Sequence, residues 1–185
     1  MRTYITLAIF ILIAIGSFWF LQDLTKEPIT EKKPDSQFPD YFMENFSVTN
    51  MNAQGQPEYI LKAKKMLHFS DDDRAELEQP FINFLQTNTN ITLQSSRAVF
   101  LEKENIIHLH DKVIIHRAAS KNQSELSIYT DYLKIDTQSH IAETNLAAKL
   151  KTPEVELNTI GLVLDNKQGT VKLKSQVRGI YEATN

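Results

Sequence analysis

The sequence predicts an all-β domain behind a single N-terminal transmembrane helix. Three observations lead there. The first is a run of 20 uncharged residues, Thr3 to Gln22, behind a lone Arg2. The second is a spacing of paired apolar residues that recurs in three gapless copies of 27 residues, Ile91–Arg117, Leu126–Thr152 and Val155–Tyr181. The third is the period of two within each pair, with polar neighbours between, which marks half-buried strands and not helices.

Composition narrows the field further. The chain has 185 residues, 42% hydrophobic and 23% charged, which suits one ordinary domain with a short remainder. With 5 Gly and 6 Pro, collagen-like and linker-like chains are excluded. Without Cys there are no disulfides, thiolate metal sites or Cys nucleophiles. A net charge of −3 supplies no basic excess, so no nucleic-acid partner is expected.

Residues 1–22 read as a transmembrane anchor. As a helix, the uncharged run spans about 30 Å, the thickness of a bilayer core. All 23 acids lie beyond it. Ala14-Ile15-Gly16 has the small-x-small form of a signal cleavage site. Phe18-Trp19-Phe20-Leu21 carry the apolar run past that point, and Trp19 suits a membrane interface, so the segment reads as retained. Arg2 and the α-amino group keep the N-terminus cytoplasmic and put the rest of the chain across the membrane. Residues 23–40, with Pro28, Pro34 and Pro39, read as an extended linker. The domain occupies 41–185.

Within the domain the three copies superpose residue by residue. The first gives Ile91, Leu93, Ala98, Phe100, Ile107, Leu109, Val113 and Ile115. The second gives Leu126, Ile128, Leu133, Ile135, Ala142, Thr144, Ala148 and Leu150, and the third Val155, Leu157, Leu162, Leu164, Val171, Leu173, Val177 and Gly179. Of these 24 positions 22 are apolar. The odd steps between pairs reverse side-chain parity, so each requires a bend, bulge or turn to keep one face inward. Asp165–Gly169 has hairpin-turn chemistry at such a step. A weaker fourth copy runs from Tyr59-Ile60-Leu61 to Phe81-Ile82-Asn83-Phe84. Roughly a dozen or more short strands follow, stacked into a solenoid, sandwich or jelly roll with one apolar interior. The last strand, ending near Tyr181, reads as an exposed edge.

Chemical motifs are sparse. His108, His110 and His116 read as surface histidines, and Asp71-Asp72-Asp73 with Glu76 and Glu78 as a solvated turn. No nucleophile–base pair, phosphate loop or metalloprotease motif is present, so neither catalysis nor a cofactor is expected. Lys149, Lys151, Lys172, Lys174 and Arg178 give the last copies a basic outer face, as edge strands commonly have.

The order of motifs carries a family likeness. Pro39-Asp40-Tyr41-Phe42-Met43-Glu44-Asn45-Phe46 precedes Asn52-Ala53-Gln54-Gly55-Gln56-Pro57-Glu58-Tyr59-Ile60-Leu61-Lys62-Ala63. Asp71-Asp72-Asp73, Leu77-Glu78-Gln79-Pro80, Ile141-Ala142-Glu143-Thr144 and Val177-Arg178-Gly179-Ile180-Tyr181-Glu182 follow. The chain resembles the LptC family of bacterial lipopolysaccharide export over nearly its whole length. It departs at Asp111-Lys112, where members often have Gly, while Gly161 matches.

The resemblance implies an OstA-like open β-jelly-roll of repeated antiparallel strands, periplasmic and held to the bacterial inner membrane. It implies receipt of lipopolysaccharide from an inner-membrane ABC-type extractor of two transmembrane and two ATPase subunits. It also implies delivery to a periplasmic jelly-roll bridge protein docked at the C-terminal edge. On this reading Phe69, Leu77, Phe81, Phe100, Leu109 and Ile135 are the lipid-lining candidates. Gly161, Val171, Leu173, Val177, Gly179 and Tyr181 are the docking candidates. The alternative is a membrane-tethered β-domain that scaffolds other proteins around a fully packed interior.

Overall fold

The computed structural model describes residues 13–21, 38–52, 54–85, 90–121 and 123–181. It divides into two compact units, Met1–Asp35 and Ser36–Asn185. In the first, residues 13–21 form an exposed helix. Among the described residues no helix is long and apolar enough to cross a membrane. Most of the span expected over 3–22 lies outside the described residues.

The second unit is all antiparallel β. Its strands are β1 (Tyr41–Met51), β2 (Pro57–Phe69), β3 (Arg74–Glu78), β4 (Phe81–Leu85), β5 (Asn90–Gln94) and β6 (Arg97–Leu101). A one-turn 3-10 helix, Glu102–Glu104, leads into β7 (Ile106–Arg117), β8 (Leu126–Asp136), β9 (Ile141–Lys151), β10 (Val155–Asp165) and β11 (Thr170–Tyr181). These make one 11-stranded sheet. Two of its members are broken in the middle. β2 pairs with β3 through Lys65–Phe69 and with β4 through Tyr59–Lys62. β7 likewise pairs with β6 through Ile106–His110 and with β5 through Ile114–Arg117.

Apart from a shift between Asn50 and Met51 near the β1–β2 turn, the breaks and bulges fall on one line across the sheet. Register shifts lie between His110 and Val113 on β7, Thr130 and Lys134 on β8, and Asn158 and Leu162 on β10. Left-handed residues mark the same line: Asn45, Gln79, Asp111, Lys112, Gly161 and Gln176, with φ of 47°, 51°, 61°, 53°, 78° and 49°. A bulge bends its strand, so aligned bulges fold the sheet on itself. The odd steps from Ile128 to Leu133 and from Leu157 to Leu162 fall at these shifts. Where Gly would adopt the left-handed backbone at little cost, Asp111 and Lys112 adopt it instead. Asp111 is held there by Arg97, whose Nε and Nη2 donate to Oδ2 at 3.1 and 2.8 Å.

Buried hydroxyls complete the bend. Ser95, Thr130 and Thr159 stand at the same place in the three copies, 8%, 8% and 4% exposed. Each donates to the carbonyl two residues on, Arg97 O at 2.9 Å, Tyr132 O at 3.3 Å and Gly161 O at 3.2 Å. Thr130 also reaches Ala147 O at 3.0 Å, and Thr159 reaches Ser175 O at 2.9 Å, across to the next strand. A bulge takes backbone groups out of the ladder, and an unpaired buried carbonyl is costly. The repeated hydroxyl meets that need.

Residues from both sides of the bend then pack together. Leu93, Ala98, Leu109, Val113 and Leu133 form one buried cluster, with Leu77, Ile82, Phe84, Ile107, Ile115, Ile135 and Ala142 against it. Ile128, Ala148, Leu150 and Leu162 form a second, flanked by Leu126, Leu157, Leu164 and Leu173.

Gly161 has its own task on the outer face. A Cβ there would lie 2.8 Å from Lys174 Cδ and 3.1 Å from Lys174 Cβ. The bare glycine lets the Lys174 stem cross β10, so that Nζ donates to Asn145 Oδ1 at 2.7 Å and Glu143 Oε2 at 3.3 Å on β9.

Two substitutions test the bend. Thr159→Val keeps shape and removes the donor, and is expected to cost about 1–3 kcal/mol in urea unfolding. Thr49→Val, at an exposed position, is expected to stay within about 0.5 kcal/mol. Gly161→Ala is expected to cost at least about 1 kcal/mol from its left-handed backbone alone, with more from the Lys174 clash.

A half-open apolar trough as the candidate functional site

Alternation along the strands sets the inward face, and distance from the bend sets its exposure. Beside the bend, Ala98, Leu109, Leu133, Thr144 and Leu162 are buried on β6 to β10. One step outward, Phe100, Ile107, Ile135, Ala142 and Leu164 are only half-buried. These are ladder neighbours in turn: Ala75 faces Phe100, then Ile107, Ile135, Ala142, Leu164 and Val171. From β3 to β11 the row is apolar without interruption and roughly 29 Å long, at about 4.8 Å per strand.

The other half of the sheet supplies the opposing bank. Tyr59, Phe84 and Ile91 are ladder neighbours and half-buried, and the Tyr59 and Phe84 rings lie 5.9 Å apart. Arg117 and Leu126 continue that row. The Arg117 Nε is buried without a hydrogen-bond partner among the described residues. The interior is thus a wedge, packed at the bend and partly open at the rim.

The six lining candidates divide. Leu77, Leu109 and Ile135 meet in the first cluster. Phe100 joins Ile135 in the half-open row. Leu109, 0% exposed, is part of the packed floor beneath it. Two assignments are corrected. Phe81 faces exposed Lys62 and Gln94 in the ladder and turns outward, while Ile82 and Phe84 turn inward. Phe69 lies opposite Arg74, whose guanidinium covers its ring at 4.5 Å, and it belongs to neither cluster. The signal for the right choice was present. Ala75, Leu77, Ile82 and Phe84 repeat the steps of two, five and two seen in Ile91, Leu93, Ala98 and Phe100.

The docking candidates divide as well. Val171, Val177 and Tyr181 are exposed on β11, together with Ile180. Leu173 packs against the second cluster. Gly161 and Gly179 serve the β10–β11 pair itself: a Cβ at Gly179 would lie 2.6 Å from Leu157 Cδ2. β11 ends the sheet on one side and β1 on the other. β1 also exposes apolar side chains: Tyr41, Phe42, Val48 and Met51.

On the outer face the polar residues pair locally. His108 Nδ1 lies 2.8 Å from the Tyr132 hydroxyl and His116 Nδ1 3.1 Å from Ser127 Oγ. Burial, then the charges of His110 and Lys134, holds the His108 pKa below its ordinary value. Lys149 Nζ lies 2.8 Å from Glu156 Oε1, and that hydrogen bond holds the Glu156 carboxyl below its usual range.

The family model described as lipopolysaccharide-assembly, LptC-related, matches residues 7–182. No curated protein matches the chain. Among solved structures the chain is similar to LptH of Pseudomonas aeruginosa, described as the LptA-homologous periplasmic component of the conserved lipopolysaccharide transport device. The TM-score is 0.50 at 7% identity, over 80% of this chain and 99% of LptH. At that identity the likeness is one of fold, an antiparallel β-jelly-roll. The family match spans nearly the whole chain, and the chain belongs to the LptC-related family of lipopolysaccharide-assembly proteins, with a role in lipopolysaccharide transport.

Proposed function

We propose that the chain carries lipopolysaccharide acyl chains along its half-open trough and hands the lipid onward at the β11 edge. The observation that carries this reading is the unbroken apolar row from Ala75 and Phe100, half-buried as far as Leu164, to exposed Val171 on the edge strand β11. Each buried CH₂ is worth about 0.8 kcal/mol, so acyl chains need cover to cross water. A trough with a wet rim covers the chains and leaves sugars in solvent. Arg117, a cation within the opposing bank, suits an amphiphile with an anionic head.

The donor is an inner-membrane ABC-type extractor of two transmembrane and two ATPase subunits, and the acceptor a periplasmic jelly-roll bridge protein. The apolar segment before residue 23 anchors the chain in the inner membrane with its N-terminus cytoplasmic and the sheet periplasmic. Work comes from ATP at the extractor, and this chain is not an enzyme. Edge pairing supplies direction for handover, because an arriving strand hydrogen-bonds to β11 while its apolar face continues the row.

Photoreactive residues test the trough. Placed at Phe100, Ile107 and Ile135 in living cells, they are expected to trap lipopolysaccharide only while the extractor hydrolyses ATP. Outward Lys134 and Val99 are expected to trap little. Equal crosslinking from both faces sinks the trough and favours a scaffold with a closed interior.

A second test addresses the edge. Truncation before Thr170 is expected to abolish capture of the bridge protein and leave association with the extractor intact. Val177→Arg, at an exposed position, is expected to weaken capture with circular dichroism unchanged. Full capture by folded forms of both variants moves docking to β1.

A further inference from the structure

Beside the start of β1, side chains from four places in the chain converge. His68 lies near the end of β2, Asp73 in the turn before β3, Glu102 at the start of the one-turn helix, and Asp40 just before β1. Ligand atoms of His68, Asp73 and Glu102 all lie within 4.8 Å of one another. The imidazole is held in place. The Tyr41 ring stacks on it at 4.4 Å, and Nδ1 lies 2.9 Å from Asp40 Oδ1.

A carboxylate accepts, so this hydrogen bond puts the proton on Nδ1 and leaves the lone pair of the neutral ring on Nε2. That lone pair faces Asp73 Oδ1 at 3.5 Å. Nε2 and the Asp73 and Glu102 carboxylates converge on one point, where a cation can take the place of a second imidazole proton. A cation about 2.1 Å from each atom would subtend about 113° across that 3.5 Å gap, close to tetrahedral. The two carboxylates keep their places through the backbone, since Glu102 N donates to Asp73 O at 3.1 Å. Lys103 Nζ lies 3.9 Å from Asp73 Oδ2, the other oxygen, and competes only weakly.

We propose that His68, Asp73 and Glu102 bind a divalent first-row cation, with Asp40 orienting the imidazole from behind. One imidazole and two carboxylates suit Zn²⁺ better than the all-oxygen preference of Ca²⁺ or Mg²⁺. An outer carboxylate on a ligating histidine is the usual device for fixing its tautomer. The cation ties the end of β2, the turn before β3 and the turn after β6 to the start of β1, and so clamps one edge of the sheet.

The test is titration of the detergent-solubilised full chain with ZnCl₂ by calorimetry. One saturable site is expected, with a rise in melting temperature. Glu102→Gln and Asp73→Asn are expected to weaken binding at least tenfold, and Asn keeps the left-handed backbone at residue 73. Asp40→Asn, which touches only the far nitrogen, is expected to weaken it about tenfold. Lys103→Ala is expected to tighten it. Absence of saturable binding overturns the proposal, as does wild-type affinity in Glu102→Gln. Loss of binding in a His108→Gln/His110→Gln variant, with Glu102→Gln unaffected, also overturns it.

Discussion

Bending one sheet until its own face meets itself is the constraint on which the rest of this domain depends. A strand that crosses the bend must skip a residue to keep its apolar side inward, and every skip strands a carbonyl away from its ladder partner. The chain answers with a buried hydroxyl at that point in each copy: Ser95, Thr130 and Thr159. The bend must also fall at the same height in neighbouring strands, or their ladders would not pair. That requirement fixes the spacing of two, five and two, and it repeats because the geometry does. Sequence periodicity and architecture are here the same fact.

The bend also explains why the interior is graded. Near the fold line the two halves of the sheet are close, and Leu109, Leu133 and Leu162 are shut off from solvent. Farther out the halves diverge, and no described strand joins β1 to β11 to close the gap. Half-buried Phe100, Ile107 and Ile135 result from sheet geometry and not from poor packing. Such a surface has contact area left to give. For the carrier role proposed above, this grading means that partial burial of an acyl chain is worth less per CH₂ than full burial and release stays accessible.

Legibility followed the range of the interactions involved. Period-two pairs at Leu133 and Ile135, or Leu162 and Leu164, announced strands because alternation is local. The odd steps announced bends because parity is local too. Phe81 turns outward because the step of five from Leu77 falls on Ile82. Phe69 is buried under a cover, Arg74, that arrives only when β2 pairs with β3. The grouping of His68 with Glu102 spans 34 positions and rests on β3 lying between β2 and β6, which no local pattern encodes.

The same reasoning separates the two roles an edge glycine can have. Gly161 matches the family pattern and stands one strand in from the β11 edge. In the fold its missing Cβ is used internally, as the passage through which Lys174 reaches Asn145 and Glu143. That crossing staples β11 through β10 to β9 on the outer face. A free edge strand has hydrogen bonds on one side only and frays readily. Stapled from outside, β11 keeps its register while Val177, Ile180 and Tyr181 remain exposed. An arriving strand then meets a fixed ladder, and it need not order the edge before pairing with it. Side-chain entropy lost by Lys174 in the folded chain is entropy that docking no longer has to spend. Under the proposed handover, Gly161 acts through the rigidity of the edge and not through contact with the partner.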